Sequence, residues 1–514
     1  MEVELKLLVD PKYKAALFQH PLLAGGGQGK PHELTLSDTY YDTPDLHLRH
    51  NDAGLRVRHE ANGWIQNMKN SGTVNSGLHS RKEWESPVAG SAPDLARLRK
   101  IVDDKKIRRN LLGGAGLEKR LAPVFTTKVK RTVWNLKLPG GDVVECVFDQ
   151  GRLECKGKHI SISELELELK SGDPSHLFDF ALALHQDIPL HIGNRSKADR
   201  GYALLEPHAP EAIKATALVL ATNMTVEKAF QAIASNCIAH IEGNDERVAG
   251  GHDVESLHQM RVGMRRLRSA LSMFKSMLHL PDEIEQELAW LATQLGDARD
   301  WDVLAESTLP GLAKDMTDPA NIDGLQQAAT DKAHEHHVTT AAAVASPRYT
   351  RLMLNLTRWV QTMGWHEDQA TVAATGIELG DPVLKFANKT LKRDQRRLRT
   401  RAKNLRAATP EARHRLRIAA KKTRYAAEFF DSLFSPKTVR SYVKALAGLQ
   451  DELGFLNDAA VADRLLTELS ANQSQLEGSV GFAKGFLSGR VINDDRNILK
   501  LWKQFKRIGI PHKR

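Results

Sequence analysis

The pattern of apolar and polar positions changes near residue 205. Before that point, apolar and polar residues alternate in short runs bounded by turn residues, as in half-buried β-strands. Such runs include VELKL, GLRVRHE, RKEWES, KRTVWNLKL, DVVECVFDQG and SELELELK. A helical pattern from Pro93 to Leu112 interrupts them. Residues 1–205 are therefore predicted to form an antiparallel sheet, closed as a barrel, with flanking helices.

The second half of the chain has the helical period throughout and contains an internal repeat. The segment LHQMRVGMRRLRSAL around His258 matches RHRLRIAAKKTRYAA around His414 at a constant offset of 156 residues. About forty residues later, LGDARDWD and LGFLNDAA repeat with a shift of only two. A duplicated four-helix unit explains both matches. The predicted domains are 1–205, a linker over 206–221, and an all-α domain over 222–510 with repeats of about 222–375 and 380–510, which makes an α+β multidomain chain.

Length, charge and cysteine content limit the kinds of protein that this chain can be. A chain of 514 residues is too long for one hydrophobic core. Its net charge of +10 is local, because residues 385–424 hold 16 Lys and Arg against 2 Asp and Glu. Local basicity predicts an anionic partner. The 3 cysteines do not have the paired spacing of a metal site, so we expect neither disulfides nor a zinc site. No run of about 18 apolar residues occurs, and we therefore expect a cytoplasmic protein.

Candidate chemistry lies on the strands. Glu2, Glu4 and Lys6 share one face of a strand, and the triad recurs as Glu166, Glu168 and Lys170. An ordinary strand with its charges in water would show the same pattern once. Repetition, together with one-sided charges on other strands, favours a barrel whose charges point inward. Grouped carboxylates need cations between them, and their oxygens suit Mg²⁺ or Mn²⁺ with a phosphate-rich anion clamped by Arg and Lys.

The order of short motifs in residues 1–205 resembles the CYTH family of triphosphate tunnel metalloenzymes. The motifs are E-x-E-x-K at Glu2, DTYYDT at Asp38, LRVR at Leu55, QNMK ending at Lys69, RKEWE at Arg81, DQG at Asp149, ELELELK at Glu164 and SKADRGY at Ser196. The resemblance implies an eight-stranded antiparallel tunnel that holds a triphosphate lengthwise. QNMK departs from the family's usual threonine–lysine strand at Asn67.

The resemblance also implies roles for individual residues. Metal ligands would be Glu2, Glu4, Asp149, Glu166 and Glu168. Phosphate oxygens would be bound by Lys6, Arg56, Arg58, Lys69, Arg81, Arg131, Lys197 and Arg200, and the catalytic group would comprise Glu83, Glu85 and Lys6. The segment TTKVKRTVW leaves open whether Arg131 or the pair Lys128 and Lys130 faces inward. The mechanism expected is in-line attack of a prepared water on the terminal phosphorus.

Two basic stripes mark the helical half. His258, Arg261, Arg265 and Arg268 lie on one helix face, as do His414, Arg417, Lys421 and Arg424. A solvated charged face is the alternative interpretation, but the duplication of the stripe favours a binding site.

The pattern resembles the CHAD domain over about 222–510, which implies two four-helix bundles around a basic groove that binds inorganic polyphosphate. The candidate residues are the eight above with Arg266, Lys422, Lys392 and Arg396. Nucleic acid is disfavoured, since Phe386 is the only aromatic residue in the basic segment 385–406.

Together, the two halves resemble bacterial inorganic triphosphatases that join a CYTH barrel to a CHAD module. The function expected from this resemblance is metal-dependent hydrolysis of inorganic triphosphate to diphosphate and phosphate, with polyphosphate bound by the helical domain and an association with polyphosphate granules. Three alternatives remain at this stage: an adenylate cyclase, a thiamine or nucleoside triphosphatase, and a non-enzymatic polyphosphate-binding adaptor. All of them would use the same tunnel or the same basic helices.

Overall fold

The alternating and the helical parts of the sequence form two separate units in the computed structural model. The structure describes residues 2–25, 29–60, 63–70, 72–114, 116–206, 211–251, 253–314, 320–366, 378–403, 405, 409–493 and 495–512. Unit 1 comprises Met1–Glu211 and Pro347–Arg358, and unit 2 comprises Ala212–Ser346 and Trp359–Arg514. Residues 211–221 of the predicted linker carry no helix or strand, and residues 207–210 lie outside the described residues. The proposed domain and repeat boundaries stay predictions.

Unit 1 is built on one curled antiparallel sheet. Its strands are β1 (Glu2–Val9), β2 (His32–Asp42), β3 (Ala53–Glu60), β4 (Gly63–Asn70), β5 (Thr73–Asn75), β6 (Leu78–Arg81), β7 (Glu83–Val88), β8 (Ala122–Lys137), β9 (Val143–Cys155), β10 (Lys158–Ser171) and β11 (Leu190–Ile192). The order is β5-β6-β1-β10-β9-β8-β2-β3-β4-β7, with β11 paired to β1. The antiparallel sheet is thus confirmed. The predicted number of eight strands is not confirmed, because the described sheet has 11, including the short β5, β6 and β11.

The sheet turns its charged face inward and its apolar face outward. On β1, Leu5 and Leu7 are fully buried in a core that also contains Leu165, Leu167 and Phe178. Alternate residues of the same strands point to the opposite face, which is the interior of the curl. The leucines of E-L-K and E-L-E-L-E-L-K therefore pack against helices, while the acids and lysines line a cavity.

Short helices flank the sheet, and the last of them in the chain packs against the inner face, where its Tyr202 contacts Phe125 of β8. They are α1 (Lys14–Gln19), α2 (Pro21–Ala24), α3 (His47–His50), α4 (Leu95–Ile101), α5 (Lys105–Leu112), α6 (Leu117–Arg120), α7 (Ser175–Asp187) and α8 (Lys197–Leu205). The predicted helix between Pro93 and Leu112 is two helices. Asp94 and Asp104 each accept hydrogen bonds from backbone amides of the following turn, so each starts its own helix.

Unit 2 is helical in its described part. Its helices are α9 (Val226–Glu242), α10 (Asp245–Ala249), α11 (Val254–Phe274), α12 (Asp282–Val303), α13 (Leu309–Ala313), α14 (Ala320–Val344), α16 (Val383–Arg401), α17 (Pro410–Phe429), α18 (Pro436–Asn472), α19 (Glu477–Asn493) and α20 (Asp495–Lys506); α15 (Pro347–Gln361) lies in unit 1 up to Arg358. A five-residue π-helical stretch, Leu304–Thr308, follows α12. None of the helices in the described ranges combines the length and the apolar character needed to cross a membrane.

The helix positions follow the sequence repeat. The helices α9, α11, α12 and α14 begin at residues 226, 254, 282 and 320, and α16, α17, α18 and α19 begin at 383, 410, 436 and 477. The paired starts therefore differ by 157, 156, 154 and 157 residues, close to the offset read from the sequence. The division into two four-helix bundles stays a prediction, whereas the all-helical character of this half is confirmed.

Candidate functional site

The interior of the curled sheet encloses a cavity of about 570 Å³ lined mainly by charged side chains. Most residues singled out in the first half of the sequence line it. These are Glu2, Glu4, Lys6, Arg56, Arg58, Lys69, Arg81, Glu83, Glu85, Arg131, Glu166, Glu168 and Lys197. Asp149 is fully buried and contacts Arg131 and Lys197 of this lining. The sequence thus placed these charges on the correct face of their strands.

Three acids, two of them fully buried and one partly buried, meet at one side of the cavity. Within the described chain, one group of candidate metal ligands has its oxygens within 4.8 Å of one another: Asp149, Glu164 and Glu166. Strand pairing explains why, because Asp149 on β9 is directly opposite Glu164 on β10. Directly opposed residues on one face of a sheet have Cβ atoms only about 5 Å apart. We call these three residues the acid triad.

Cations surround the acid triad. Arg131 donates two hydrogen bonds to Asp149, at 2.8 and 2.7 Å. Lys197 lies 2.7 Å from Asp149 and 3.0 Å from Glu166. Lys6 contacts Glu166, and Arg200 contacts Glu164. Four positive side chains thus face three negative ones.

This arrangement favours the charged forms of Lys6, Lys197, Asp149 and Glu166. Burial disfavours charge, yet the carboxylates raise the pKa of both Lys6 and Lys197. In the same way, burial would raise the pKa of Glu166, but Lys197, Lys6 and Arg131 hold it well below its usual value. Lys197 and Arg131 also lower the pKa of Asp149 against the effect of burial. The site is therefore a compact, preorganised set of charges.

Helix α8 carries two of these cations. It begins with a capping box in which Ser196 and Asp199 exchange side-chain to backbone hydrogen bonds, so Lys197 is held in the first turn. One turn later the helix lies against β8 so closely that a Cβ on Gly201 would come within 2.3 Å of the Phe125 ring. The sequence SKADRGY therefore fixes both the start of the helix and its distance from the sheet.

A second wall of the cavity joins β1, β4 and β6. Lys69 donates to both oxygens of Glu2 at 2.8 Å and lies 3.2 Å from Glu83. Arg81 contacts Glu2 at 3.2 Å and also contacts Glu4. Burial together with Arg81 and Arg56 lowers the pKa of Lys69. Lys69 thus pairs with two acids but also lies close to Arg81 and Arg56, and an anionic ligand would stabilise this group of cations.

Two further charged residues of the site, Glu164 and Asp38, were not predicted from the sequence. Glu164 shares its strand face with Glu166, so the run ELELELK already contained the signal. Asp38 is buried on β2, opposite Arg58, and accepts hydrogen bonds from Arg58 at 2.8 Å and Arg56 at 3.1 Å. Burial opposes its charge, but these two arginines lower the pKa of Asp38 to about 2. Asp38 therefore orients the two arginines.

The predicted set of five metal ligands is divided by the structure. Asp149 and Glu166 belong to the acid triad, whereas Glu2 and Glu4 pair with Arg81 and Lys69 on the second wall. Glu168 is half-buried, lies 2.8 Å from Lys170, and has its pKa raised by burial. Local alternation decides which residues share a strand face, whereas the pairing register between strands decides which of them lie close together.

The structure also settles which residue of TTKVKRTVW faces inward. Lys128 and Lys130 are more than half exposed and pair with Glu154 at 3.6 Å and Glu33 at 2.8 Å on the outside. Arg131 points into the cavity. On β4, Asn67 is buried, donates to Glu83, and donates to Glu85 at 3.3 Å. The departure at Asn67 thus holds both acids of RKEWE.

In unit 2, the two basic stripes contribute to one cluster. Arg261 on α11 lies 3.3 Å from Asp300, and Arg417 on α17 lies 3.8 Å from Asp458. Asp300 and Asp458 occupy equivalent places in LGDARDWD and LGFLNDAA, which explains why these segments accompany the stripes. Burial and the charges of Arg417, Arg265 and Arg261 lower the pKa of Lys421 to about 7.

We call Arg261, Arg265, Arg417 and Lys421 the basic cluster. Burial and neighbouring arginines lower the pKa of Arg261 and of Arg417, as expected for cations gathered without enough acids. Burial, Arg299 and Arg265 also lower the pKa of His258, which favours its neutral form. Uncompensated cations of this kind gain from binding an anion.

Other members of the predicted polyphosphate set are placed elsewhere. Arg266 is buried, donates to Asn236 at 2.9 Å, and lies 5.3 Å from the ring centre of Phe429. It therefore packs between helices instead of joining the cluster. Lys422 donates to Ser272 at 2.9 Å, and Arg424 donates to Glu428 at 2.7 Å. The remaining members, Arg268, Lys392, Arg396 and His414, are exposed. One helix face in sequence is thus not one surface in space.

Two family models match the chain. Residues 1–202 match the CYTH domain, and residues 232–467 match the CHAD domain. The inorganic triphosphatase of Haemophilus influenzae is 35% identical over 204 residues, which are 40% of this chain and 54% of that protein. The match therefore covers about half the length of this curated relative.

Among solved structures, the CHAD domain of the plant Ricinus communis is 37% identical, with a TM-score of 0.54, over 59% of this chain and 99% of that chain. The putative adenylyl cyclase of Hippeastrum is 17% identical, with a TM-score of 0.31, over 40% of this chain and 99% of that one, and so weak a likeness supports no functional conclusion. The charged cavity, the duplicated basic helices and the two family matches agree: the chain belongs to the CYTH family in residues 1–202 and to the CHAD family in residues 232–467.

Proposed function

We propose that unit 1 hydrolyses inorganic triphosphate to diphosphate and phosphate with the help of Mg²⁺ or Mn²⁺. The observation that carries this proposal is the acid triad, three carboxylates that lie together and are enclosed by Lys6, Arg131, Lys197 and Arg200. An anion-binding pocket alone has no use for three acids at its centre. The 35% identity to an inorganic triphosphatase adds support.

The acid triad suits a hard divalent cation. Carboxylate oxygens are the ligands that Mg²⁺ and Mn²⁺ prefer, and these ions usually bind together with phosphate oxygens. In this structure every acid of the triad is already paired with Lys or Arg. A triphosphate would attract the same cations and release the carboxylates, so we expect metal and substrate to bind together. Asp149, Glu164 and Glu166 would hold the ion, which neutralises phosphate charge and activates water when bound.

The remaining cavity residues bind and orient the substrate. Arg56 and Arg58, oriented by Asp38, present planar guanidinium groups that match phosphate oxygens. Lys69 and Arg81 supply charge on the second wall. Lys69 and the amide of Asn67 lower the pKa of Glu83 in spite of its burial, so Glu83 is ionised and can accept a hydrogen bond from the attacking water. Glu85 shares the Asn67 amide and assists in placing that water.

The cavity favours a substrate without an organic group over the nucleotide and thiamine alternatives. Of the described residues that line it, Tyr40, Tyr202 and His79 carry aromatic rings. Both tyrosines are buried and packed against Phe125, and His79 is buried with its Nε2 bonded to the carbonyl of Gly193. A base or a thiazole ring would need a free aromatic or apolar surface. Adenylate cyclase, nucleoside triphosphatase and thiamine triphosphatase activities are therefore the second candidates.

Substrate comparison tests the enzymatic proposal. With Mg²⁺ or Mn²⁺, we expect release of phosphate from tripolyphosphate to exceed that from ATP and from thiamine triphosphate by at least about tenfold in kcat/KM, since a difference of about 1.4 kcal/mol in transition-state binding gives this ratio. Cyclic AMP is measured in parallel, and a chelator should stop the reaction. Equal or faster turnover of ATP would replace this proposal with a nucleotide substrate. No turnover with either metal would favour the non-enzymatic adaptor.

For unit 2, we propose binding of long-chain inorganic polyphosphate at the basic cluster. Polyphosphate requires only dense positive charge, and Arg261, Arg265, Arg417 and Lys421 provide it. Single-stranded nucleic acid would gain from aromatic side chains on which bases stack. Phe386 is unsuitable for this role, because it is buried and packs against Phe274 and Phe430. Long-chain polyphosphate should therefore displace single-stranded DNA at equal phosphate concentration.

Polyphosphate affinity should depend on pH through Lys421. Its pKa of about 7 means that the free protein gains this charge as the pH falls from 8 to 6. Binding should tighten over this range, by at most about tenfold per pH unit, the limit for uptake of one proton. Lys421→Gln should bind more weakly at pH 6 and lose most of the pH dependence in calorimetric titration. Lys332→Gln, which removes a surface partner of Glu335, is the matched control. A pH-independent affinity of the unaltered protein would contradict the assignment.

A further inference from the structure

The turn between β5 and β6 has an unusual backbone. Ser76 and Gly77 connect the two strands and have φ angles of 46° and 76°. Positive φ at both central residues is the type I′ hairpin turn, which favours Asn and Gly at these positions. Serine is uncommon there, and this one is completely buried. A side chain at this place therefore has a reason other than turn formation.

The turn is bonded to the wall of the cavity. The backbone N–H of Lys6 donates to the carbonyl of Gly77 at 2.9 Å, and Gly77 N–H donates to the Asn194 side chain at 2.9 Å. A Cβ on Gly77 would come within 2.5 Å of the Lys6 carbonyl oxygen, so only glycine permits this approach. Because β6 continues from the turn to Arg81, the turn sets the positions of Lys6 and Arg81 together.

His79 of the same strand reinforces this connection. Its Nε2 is 2.9 Å from the carbonyl of Gly193, and Gly193 N–H donates to the carbonyl of Lys6 at 2.9 Å. Burial and the charge of Lys6 lower the pKa of His79 to about 4, so it is neutral, and its Nε2–H donates to Gly193. The backbone of Lys6 is thus held from both sides.

The partner of Ser76 comes from a distant part of the sequence. Its hydroxyl forms a hydrogen bond with the hydroxyl of Thr357 on α15, 281 residues away. The segment Pro347–Arg358 belongs to unit 1, although it lies within the stretch of sequence that matches the CHAD model. Both hydroxyl groups are buried, so the bond is shielded from water.

Three further contacts hold this segment in unit 1. Leu354 is fully buried in the same core as Leu5 and Leu7. His185 accepts from Leu190 N–H through Nδ1, so its Nε2 carries the proton and donates to the carbonyl of Pro347 at 2.8 Å. Arg358 pairs with Asp179 at 2.5 Å. The segment is thus fixed at both ends and in the middle.

We propose that Thr357 is a positioning residue of the cavity: through Ser76 it holds the β5–β6 turn, and through the turn it sets Lys6 and Arg81 for substrate. This inference rests on the proposed function of unit 1 and extends it to a residue outside the CYTH match. Loss of the bond would let the turn relax from its unfavourable backbone. Small displacements of binding groups lower turnover severely, by up to about 10² for a shift of about 1 Å.

The test compares Thr357→Val with Thr350→Val in the full chain. Valine keeps the shape of threonine and removes the hydroxyl. Thr350 is equally buried, lies two helical turns earlier on the same face, and among the described residues has no hydrogen bond to the turn. We expect Thr357→Val to lower kcat/KM for tripolyphosphate about tenfold, mainly through KM, while Thr350→Val changes it less than about twofold. Thr357→Ser should restore activity.

Hydrogen exchange provides a readout that does not depend on catalysis. In Thr357→Val, the backbone amides of Lys6 and Gly77 should exchange faster with deuterium, and in Thr350→Val they should not. If these amides of Thr357→Val exchange at the rate of the unaltered protein, the positioning inference is wrong, whatever the effect on catalysis. It is also wrong if they exchange faster but kcat and KM are unchanged. If exchange responds but the unaltered protein hydrolyses no triphosphate, the proposed function fails while the structural link from Thr357 to Lys6 stands.

Discussion

Replacing Glu166 by glutamine is expected to lower the rate of phosphate release from tripolyphosphate by about 10²- to 10³-fold, the cost of losing one major transition-state contact. Glu166 contacts Lys6, Lys197 at 3.0 Å and Arg131 at 3.2 Å, which are three of the four cations around the acid triad. Glutamine keeps the size of the side chain but removes its charge. Affinity for Mn²⁺ in the presence of a non-hydrolysable triphosphate should fall as well.

The matched control is Glu33→Gln, which makes the same change in an exposed ion pair with Lys130 on the outer side of the sheet. Exposed pairs contribute little to stability, so this variant should keep full activity. Phosphate release is measured for both variants next to thermal unfolding, which separates loss of chemistry from loss of fold. A Glu166→Gln enzyme with ordinary turnover would remove the acid triad from the mechanism.

Replacing Lys197 by methionine should lower the free energy of unfolding by about 3 to 5 kcal/mol, more than any other substitution proposed here, because it leaves buried carboxylates without their partner. Lys197 is buried and contacts all three acids of the triad, with distances of 2.7 Å to Asp149 and 3.0 Å to Glu166. The pKa of Lys197 is raised, so the stability that comes from its own protonation is complete below the ordinary value of 10.5, and Lys197 itself does not titrate between pH 4 and 8. Activity should be lost with it, because a phosphate-binding cation disappears.

The pH dependence identifies the cause of this loss. In the unaltered protein, Lys197 helps to lower the pKa of Asp149 and of Glu166. Without it these pKa values rise, so the variant takes up protons in its folded state and the stability difference should narrow as the pH falls from 7 towards 4. Calorimetric unfolding across this range measures it. Lys130→Met, in the exposed pair with Glu33, should unfold like the unaltered protein at every pH, and a Lys197→Met protein that does the same would refute the electrostatic account.

The cavity shows how far strand patterns lead to a site. Alternation placed Glu2, Glu4 and Lys6 on one face, and the structure confirms that this face lines the cavity. The same alternation could not show that Glu164 and Asp149 face each other across β9 and β10. Pairing register depends on loop lengths and on the packing of both sheet faces, neither of which is visible in one strand. Of the five predicted ligands, Asp149 and Glu166 therefore lie in one group with Glu164, and their role in binding metal stays a prediction.

The helical half shows the same limit. The 156-residue offset predicted equivalent helices, and the pairs of Arg261 with Asp300 and of Arg417 with Asp458 follow it. Yet the stripe residues separate in space. Arg266 packs on Phe429, although one residue earlier Arg265 contributes to the cluster. Successive residues of a helix are rotated by about 100°, which is enough to move a side chain from a charged cleft to an apolar interface. Which of the two environments a side chain meets depends on the helices that pack against that position.

The sequence by itself determined the strand faces, the helical repeat and the kinds of charge available, because these properties depend on neighbours within about one turn or one strand. Only the tertiary structure decided which three acids meet, that Arg131 and not Lys128 or Lys130 enters the cavity, and that Pro347–Arg358 joins unit 1 and bonds to the turn at Ser76. Each of these features depends on contacts between residues that are far apart in the chain. The packing of the whole unit sets the geometry of such contacts, and the local sequence pattern does not show it.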